Sequence, residues 1–539
     1  MQVSPDSGYR YAGFELVQKL ISNLGATGRI RRIKCDLSQP SCLKCLSTGR
    51  TCDGHGDVRL IVRADAGTSL GHNDKINTTI DGACNAIIPH SLGPFMIVPS
   101  AGSAPTEAMG FFECISIKHL DEYHACESWR NTLMLFSQTV PPVRHAAIAL
   151  ALLHRICLDR GSSNPLKSDK TPLLHYNRAI QLLLDQKTGD TNERTSITIL
   201  VCYLFICFDQ LARNYVQSMK HLRGGVELSR TVNRPLMNNN HDIDTTLIGH
   251  ITRQIRRLDM QAVTFLVDWT PADIPPEDIP RLQLSPSNGT PFKFQSLPEA
   301  ADQLQILVAG VMRLLNFGAP RPPPTHPSSQ LTATLLTQLQ TWSHLFETMM
   351  LELSSNAPSA SNHHFPSLLR LHHTISHILL QVHSVPGPDN MKEMAYDAHL
   401  PDFQHCISLA DTIAAASDTD RYPPKGPTFT PEVGIIPALY IIGVKCRHPV
   451  VRREVLGILR RRERREAVWD SGIAARVVER VIEIEEGGVS GRMVNEMGEI
   501  EMGQRVESVS WVHVVEEERV DVRYMFCGRK GEVVESILV

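Results

Sequence analysis

The chain has 539 residues with 54 basic and 57 acidic side chains, and its formal charge is −3. With 42% hydrophobic and 21% charged residues, its composition excludes a disordered tail and allows a large core in about three or four domains. The near-zero charge excludes a uniformly basic nucleic-acid binder. Thirteen cysteines are too few for a secreted disulfide scaffold.

The first 28 residues, an atypical segment, show no targeting signal. They lack a basic start followed by an apolar stretch, which is the pattern of a secretory signal peptide. The longest apolar run, 197–208, is too short to span a bilayer and is predicted to be a buried helix. We therefore expect an intracellular chain with no membrane partner. In such a reducing compartment, clustered thiols more often bind metal than form disulfides.

A basic, cysteine-rich module spans residues 29–54. Between residues 29 and 52, six basic side chains face one acid, a charge of +5, whereas the rest of the chain carries −8. Four cysteines lie here at a spacing of x6, x2 and x6: Cys35, Cys42, Cys45 and Cys52. A Cys-x2-Cys pair can put two thiolates on one zinc ion, and flanking thiolates complete a tetrahedral shell. The spacing predicts a zinc site, against the alternative of four reduced cysteines in a loop.

A linker and a long helical region follow the module. Residues 55–110 are rich in Gly, Ser, Asn and Asp without a sustained period and are predicted to be a flexible linker. From 111 to 485, apolar residues recur at helical spacing between proline-rich breaks. The most regular stripe is Leu335, Leu339, Trp342, Phe346, Met349 and Leu353. This stripe covers fewer than three heptads, so a helix packed on its own domain is favoured over a coiled coil.

The C-terminal segment, 486–539, has a different pattern. Residues 509–515 and 520–526 are rich in valine and aromatic residues and largely alternate apolar with polar side chains. With an acidic turn between them, they predict a β-hairpin. The predicted fold class is therefore mainly α, with a large all-helical domain, a small N-terminal zinc module and a C-terminal hairpin.

The module carries a resemblance to a known family. Its sequence, RIRRIKCDLSQPSCLKCLSTGRTCDG, resembles the fungal binuclear zinc-cluster DNA-binding domain. In that family, six cysteines hold two zinc ions: a Cys-x2-Cys pair precedes a basic stretch, and Lys-Cys-Asp, Pro-x-Cys-x2-Cys and a last cysteine follow. The resemblance begins at Arg29 and implies that the four cysteines here are zinc ligands.

The resemblance is incomplete at its N-terminal end. Counting back from Cys35, the family's first two cysteines would stand where this chain has Gly25 and Gly28. Glycine has no ligating side chain, so one zinc ion or none is implied for this chain instead of two. Three explanations stay open: a misread exon joined just before Arg29, which the abrupt start of the match favours; a single zinc on the four cysteines, with His55 involved; or a module that has lost metal and specific DNA binding.

The resemblance also implies how the module contacts double-stranded DNA. The basic run would form a short helix in the major groove, with Arg32 as the base-reading residue and Arg31 beside it. An arginine can donate two hydrogen bonds to guanine, worth about 1–3 kcal/mol of discrimination. Arg29, Lys34 and Lys44 are expected to contact phosphates, which adds affinity without sequence information. The family reads CGG-like triplets, often as dimers. No zipper in the linker supports a homodimer here.

Segments of the helical region resemble the fungal transcription-factor regulatory domain. The matching segments are 111–155, 176–184, 202–228 and 447–471, and their order fits that family. There the domain is all-helical and is thought to receive regulatory signals. The resemblance therefore implies the same role for residues 111–485.

These features predict a nuclear transcription regulator. It would bind DNA sequence-specifically at RNA polymerase II genes, control metabolic or secondary-metabolite genes, and work with the transcription machinery or co-regulators. The alternative is a helical interaction protein that has lost zinc-dependent DNA binding. An enzyme is the weakest class, because the chain has no HExxH, G-x-S-x-G, Walker-type or dinucleotide-binding motif.

Two further patterns have competing interpretations. The histidines between 363 and 383 include His373 and His377, one helical turn apart, but ordinary helical surface histidines are favoured over metal ligands. The arginine-rich run 452–465 could serve nuclear import or DNA contact. Its interleaved glutamates favour a solvated helix face.

Overall fold

The computed structural model describes the chain from residue 104 onward, with gaps. The described residues are 104–124, 126–160, 169–185, 191–236, 247–266, 269–272, 293–315, 328–356, 364–387, 389–419, 427–487, 494–514, 517, 519–529 and 531–538. The first helix, α1 (Ala104–Phe111), begins within the segment predicted as linker. It continues through a π-helical turn, Phe112–Ser116, into the short α2 (Ile117–Leu120).

Six helices form the next part of the body. They are α3 (Glu127–Thr139), α4 (Pro141–Arg160), α5 (Thr171–Asp185), α6 (Thr191–Leu211), α7 (Tyr215–Leu236) and α8 (Leu247–Gln261). Helix α6 packs against α4, α7 and α8, and Leu204, Ile206 and Cys207 have no exposed surface. It is the one helix in the described part of the chain that is long and apolar enough to cross a membrane, yet most of it is buried inside the body. The predicted buried helix at 197–208 is therefore confirmed.

The middle of the body contains five more helices. They are α9 (Leu297–Leu315), α10 (Ser328–Asn356), α11 (His364–Ser384), α12 (Asp389–Ala395) and α13 (Leu400–Thr419). The regular stripe of α10 packs on α9 and α11, where the indole Nε1 of Trp342 donates to the Ala300 carbonyl at 2.8 Å. Only the last residue of the stripe, Leu353, is exposed. The prediction that this helix packs on its own domain is confirmed.

A small three-stranded sheet and three helices follow. They are β1 (Thr428–Thr430), α14 (Ile436–Lys445), α15 (Pro449–Arg461), β2 (Arg464–Glu466), β3 (Trp469–Asp470) and α16 (Ser471–Gly487). Strand β2 pairs parallel with β1 and antiparallel with β3. Every residue of α14 is buried. A Cβ at its Gly443 would lie 2.6 Å from a methyl group of Val478, so glycine permits the close packing of α14 on α16.

The chain ends in an antiparallel sheet of β4 (Val506–Val514), β5 (Arg519–Phe526) and β6 (Glu532–Leu538). Val509 pairs with Tyr524, and the inward side chains of β5 have no exposed surface at Val520 and Val522. The predicted hairpin is thus confirmed, and β6 extends it by a third strand. The predicted mainly-α fold class is confirmed as well.

Candidate functional site

The residues predicted to bind zinc and DNA lie outside the described residues. They are Cys35, Cys42, Cys45, Cys52, Arg29, Arg31, Arg32, Lys34 and Lys44. They stay predictions from the sequence. The chemistry of the donor set fits one tetrahedral zinc with four thiolates, whereas two zinc ions need the two further ligands that Gly25 and Gly28 cannot supply.

The histidines of α11 serve as hydrogen-bond donors inside the body. Nε2 of His372 lies 2.8 Å from the Gly434 carbonyl, and Nε2 of His373 lies 3.0 Å from the Leu339 carbonyl. Burial lowers the pKa of each ring to about 4, so both are neutral and donate one N–H. His377 stacks on His373. No group of three or more potential metal-binding side chains occurs among the described residues, and His363 lies outside them.

The arginine-rich run 452–465 is only partly a solvated helix face. Helix α15 ends at Arg461, and the following arginines enter strand β2. Arg453 and Arg460 form partly exposed ion pairs, as predicted. The interpretation as a solvated helix face is wrong for Arg452, Arg462 and Arg464, whose side chains are buried. Burial is tolerated because remote elements bring carboxylate and carbonyl acceptors to them.

A fully buried ionic cluster joins the C-terminal sheet to the helical body. Arg447 donates from Nη1 to Glu393 at 2.9 Å and from Nη2 to Glu485 at 3.0 Å. Lys445 also binds Glu393, and Arg452 also binds Glu485. Three cations thus share two carboxylates. The main-chain carbonyls at the C-terminus of α14 accept further hydrogen bonds from the two arginines, and the negative end of a helix favours positive charge.

Glu485 is the acceptor at the centre of this ionic cluster. Besides the two arginines, it accepts the backbone N–H of Val506 at 2.7 Å, at the start of β4. Burial alone would raise the pKa of this carboxyl, but the charges of Arg447 and Arg452 prevail and lower it to about 2. The carboxylate is therefore ionised at neutral pH and holds β4 against α16.

The opposite end of α14 is held by Glu466. Its carboxylate accepts the backbone N–H groups of Gly434, Ile435 and Ile436 at 2.9–3.1 Å and the hydroxyl of Tyr123 at 2.6 Å. A carboxylate at this position satisfies amide groups that have no partner within the helix. A Cβ at Gly434 would lie 2.2 Å from the Tyr123 ring, so only glycine fits there.

The body contains an apolar cavity beside this anchored helix and a polar cavity away from it. The apolar cavity has a volume of about 80 Å³ and is lined by His124, Met260, Gln261, Thr264, Leu304, Gln305, Val308, Met312, Leu368, Leu369, His372, Ile375, Ser376, Val433, Pro437, Ala438, Tyr440, Ile441 and Trp469. The polar cavity has a volume of about 270 Å³ and is lined by Glu122, Tyr123, His124, Cys126, Ser128, Trp129, Gly249, His250, Arg253, Gln254, Arg257, Leu297, Pro298, His364 and Phe365. His124 lines both cavities.

Charged groups surround His124 at the junction of the two cavities. Its Nδ1 lies 3.0 Å from Glu432. Burial raises the pKa of Glu432, but His124, Arg257 and the backbone N–H of Tyr123 together more than offset this, and the net shift is downward. Burial, together with Glu432, raises the pKa of Asp121 to about 8, although Arg130 lies 2.9 Å away. Glu432 is therefore ionised at neutral pH, whereas its negative charge disfavours ionisation of Asp121.

An aromatic cluster connects the apolar cavity to the C-terminal sheet. Tyr440 and Trp469 line the cavity with ring centroids 5.5 Å apart. Trp511 of β4 lies 4.9 Å from Tyr440 and 5.5 Å from Trp469. Direct contacts between three aromatic rings therefore link the wall of the apolar cavity to the sheet.

The sequence pattern did not reveal these buried features. The acids Glu393, Glu466 and Glu485 stand in otherwise ordinary polar contexts, and their partners lie between 21 and 343 residues away along the chain. One available signal was the position of Lys445 and Arg447 within the largely apolar run 435–451. Arginines in a largely apolar stretch require buried acceptors.

Comparison with known proteins identifies two relatives, both fungal. The chain is 22% identical to the aspercryptin biosynthesis cluster-specific transcription regulator atnN of Emericella nidulans, over 84% of this chain and 85% of that protein. It is 25% identical to the transcription regulator lscL of Purpureocillium lilacinum, over 37% of this chain and 46% of that protein. No family model matches the chain, and no solved structure matches it.

These likenesses support a coarse assignment. Both relatives are named as transcription regulators and not as enzymes, which confirms the expectation of a non-enzymatic protein. The longer match spans most of both chains, so the likeness includes a large part of the helical body. The chain is thus similar to fungal transcription regulators, and a role in transcription regulation follows from that similarity.

Proposed function

We propose that this chain is a sequence-specific DNA-binding transcription regulator of the fungal zinc-cluster type. It would act in the nucleus on the genes of a secondary-metabolite biosynthetic cluster. The likeness to a biosynthesis cluster-specific regulator over 84% of the chain carries the proposal. The cysteine spacing and the charge of +5 in the module at 29–52 support it independently.

The proposal divides the work between the two parts of the chain. The module would place Arg32 and Arg31 against base edges of a CGG-like triplet, while Arg29, Lys34 and Lys44 contact phosphates. A zinc ion on Cys35, Cys42, Cys45 and Cys52 would hold the fold of the module. The helical body, with its anchored α14 and its cavities, would regulate the activity of the module and contact the transcription machinery.

Binding of the full-length chain to DNA variants tests this division. On a duplex containing CGG triplets, Arg32→Ala is expected to cost about 1–3 kcal/mol and to relax discrimination at one base. Lys44→Ala should instead weaken binding to all sequences alike and reduce the salt slope by about 1. If both variants lose affinity equally on CGG and scrambled duplexes, base reading by Arg32 is refuted.

The second candidate is a helical regulator without zinc-dependent DNA binding. Gly25 and Gly28 at the positions of two family ligands favour it. Zinc content of the purified chain, measured by elemental analysis, separates the candidates. One zinc per chain, abolished in Cys42→Ser, supports the zinc-cluster proposal. No zinc, together with no salt-dependent DNA binding, supports a regulator that acts only through protein partners.

A further inference from the structure

The apolar cavity of the helical body has three features that together define a class of ligand: its size, a wall without charged groups, and a buried hydroxyl. We propose that it binds an uncharged, mainly hydrocarbon molecule of about five to eight non-hydrogen atoms that carries one hydroxyl or carbonyl group. Such binding needs neither zinc nor DNA. The proposal can therefore fail while the proposed function stands.

Apolar side chains form most of the wall of this cavity. Leu304, Val308, Met312, Ile375 and Ile441 are among them, and they come from α9, α11 and α14. The volume of about 80 Å³ holds about five to eight water-sized or methylene-sized groups. Each methylene moved from water into such a space strengthens binding about fourfold. The cavity therefore suits a short hydrocarbon chain or a single ring.

The wall disfavours a charged ligand. None of the described residues that line the cavity is a lysine, arginine, aspartate or glutamate. Its two imidazoles already have partners, because His124 faces Glu432 at 3.0 Å and His372 donates to the Gly434 carbonyl at 2.8 Å. An ion in the cavity would lose its water of hydration without gaining a counter-ion. The ligand is therefore uncharged.

Ser376 of α11 provides a polar contact for the ligand. It lines the cavity and is only 1% exposed, yet its hydroxyl forms no hydrogen bond with another described residue. A buried polar group without a partner is costly, and a serine hydroxyl can both donate and accept a hydrogen bond. A ligand hydroxyl or carbonyl beside Ser376 would supply the partner. Gln305 of α9 is half-buried in the same wall and offers a second polar side chain.

The wall also contains an optical reporter. Tyr440 and Trp469 line the cavity, and Trp511 of β4 contacts both rings. A ligand that replaces water beside Trp469 changes the polarity around its indole, and tryptophan emission responds to this change. Binding can therefore be followed in the unlabelled protein.

Titration of the full-length chain with straight-chain alcohols from 1-butanol to 1-decanol tests the size and the chemistry of the site. Tryptophan fluorescence and calorimetry are the two measurements. Affinity should rise about fourfold per added methylene and should stop rising at about eight non-hydrogen atoms. Hexanoate should bind at least about tenfold more weakly than 1-hexanol at neutral pH. No binding of 1-hexanol, an affinity that keeps rising to 1-decanol, or equal binding of hexanoate would overturn the proposal.

Two variants locate the binding, with toluene as a ligand that has as many non-hydrogen atoms as 1-hexanol but forms no ordinary hydrogen bond. Val308→Phe fills the cavity and should weaken the binding of both ligands at least about tenfold. Ser376→Ala should weaken 1-hexanol about two- to tenfold and leave toluene unchanged. The matched controls are Val226→Phe, at a half-buried valine of α7, and Ser384→Ala, at an exposed serine of α11, both outside the cavity. Thermal melting checks that each variant folds.

The pattern across the variants decides the outcome. Loss of both ligands in Val308→Phe and of 1-hexanol alone in Ser376→Ala, with both controls unchanged, supports the site. Unchanged affinities in Val308→Phe and Ser376→Ala would place binding elsewhere and refute it. An equal loss of 1-hexanol and toluene in Ser376→Ala would refute the hydrogen bond, and with it the proposed class of ligand. Should Val308→Phe fail to fold, the comparison of Ser376→Ala with Ser384→Ala still gives a decisive answer.

Discussion

Replacement of Glu485 by glutamine tests the buried ionic cluster that holds the C-terminal sheet to the body. The substitution keeps the shape of the side chain and removes its charge. Arg447, which lies 3.0 Å from Glu485, and Arg452, which also binds it, therefore lose a buried counter-ion. The pKa of Glu485 is lowered from 4.5 to about 2. This shift corresponds to about 3 kcal/mol of stability at neutral pH, in line with the cost of breaking a buried ion pair.

The sign of the pH dependence follows from the direction of the shift. A carboxyl whose folded pKa is depressed contributes stability above its unfolded pKa, and this contribution is lost as pH falls toward the folded value. The contribution of Glu485 is therefore complete above about pH 5 and is lost between about pH 4.5 and pH 2. The difference in unfolding free energy between wild type and Glu485→Gln should shrink at pH 3 to about half of its value at pH 7.

Urea unfolding followed by circular dichroism at pH 7 and pH 3 measures this difference. Glu483→Gln is the matched control on the same helix, because Glu483 is 55% exposed and pairs with Arg480 at the surface. Its effect should stay below about 1 kcal/mol at both pH values. The reasoning is refuted if the two variants lose equal stability at pH 7, or if the Glu485→Gln effect does not decrease at low pH.

Three further substitutions test the packing of the body. Gly434→Ala would place a Cβ 2.2 Å from the Tyr123 ring and should lower the free energy of unfolding by more than about 2 kcal/mol. At Gly457 no atom lies within 4 Å of an added Cβ. The control Gly457→Ala should therefore be neutral or stabilising by about 0.5–1 kcal/mol. Trp342→Phe removes the indole hydrogen bond to the Ala300 carbonyl and should cost about 1–3 kcal/mol. Chemical denaturation measures the free energy of unfolding of all three variants. A Gly434→Ala protein as stable as the wild type would contradict the close contact with Tyr123.

The regular features of the fold could be predicted because they depend on local periodicity. The stripe of α10 and the apolar run of α6 each repeat at helical spacing, and both are buried. The alternation in 520–526 marked strand β5 in the same way. Strand β6 escaped prediction because Val533 and Val534 are adjacent and both exposed, so its sequence does not alternate in hydrophobicity.

The buried charges and the cavities could not be predicted because they depend on contacts between distant segments. Arg452 stands in a run that has the pattern of a solvated helix, and only its placement against Glu485, 33 residues later, shows that it is buried. Likewise, His124 and Trp469 lie far apart in the sequence and meet at one cavity. The charge pattern alone does not separate a surface ion pair from a buried one.

Binding of the full-length chain to a duplex with CGG triplets tests most directly whether this protein reads DNA sequence. The comparison is a duplex of the same composition with the triplets scrambled, measured over a range of salt concentrations. We expect binding to the CGG duplex to be tighter by about a thousandfold or more, weakening with salt and abolished by a zinc chelator. Equal, chelator-insensitive affinity for both duplexes would contradict a zinc-dependent reader of DNA.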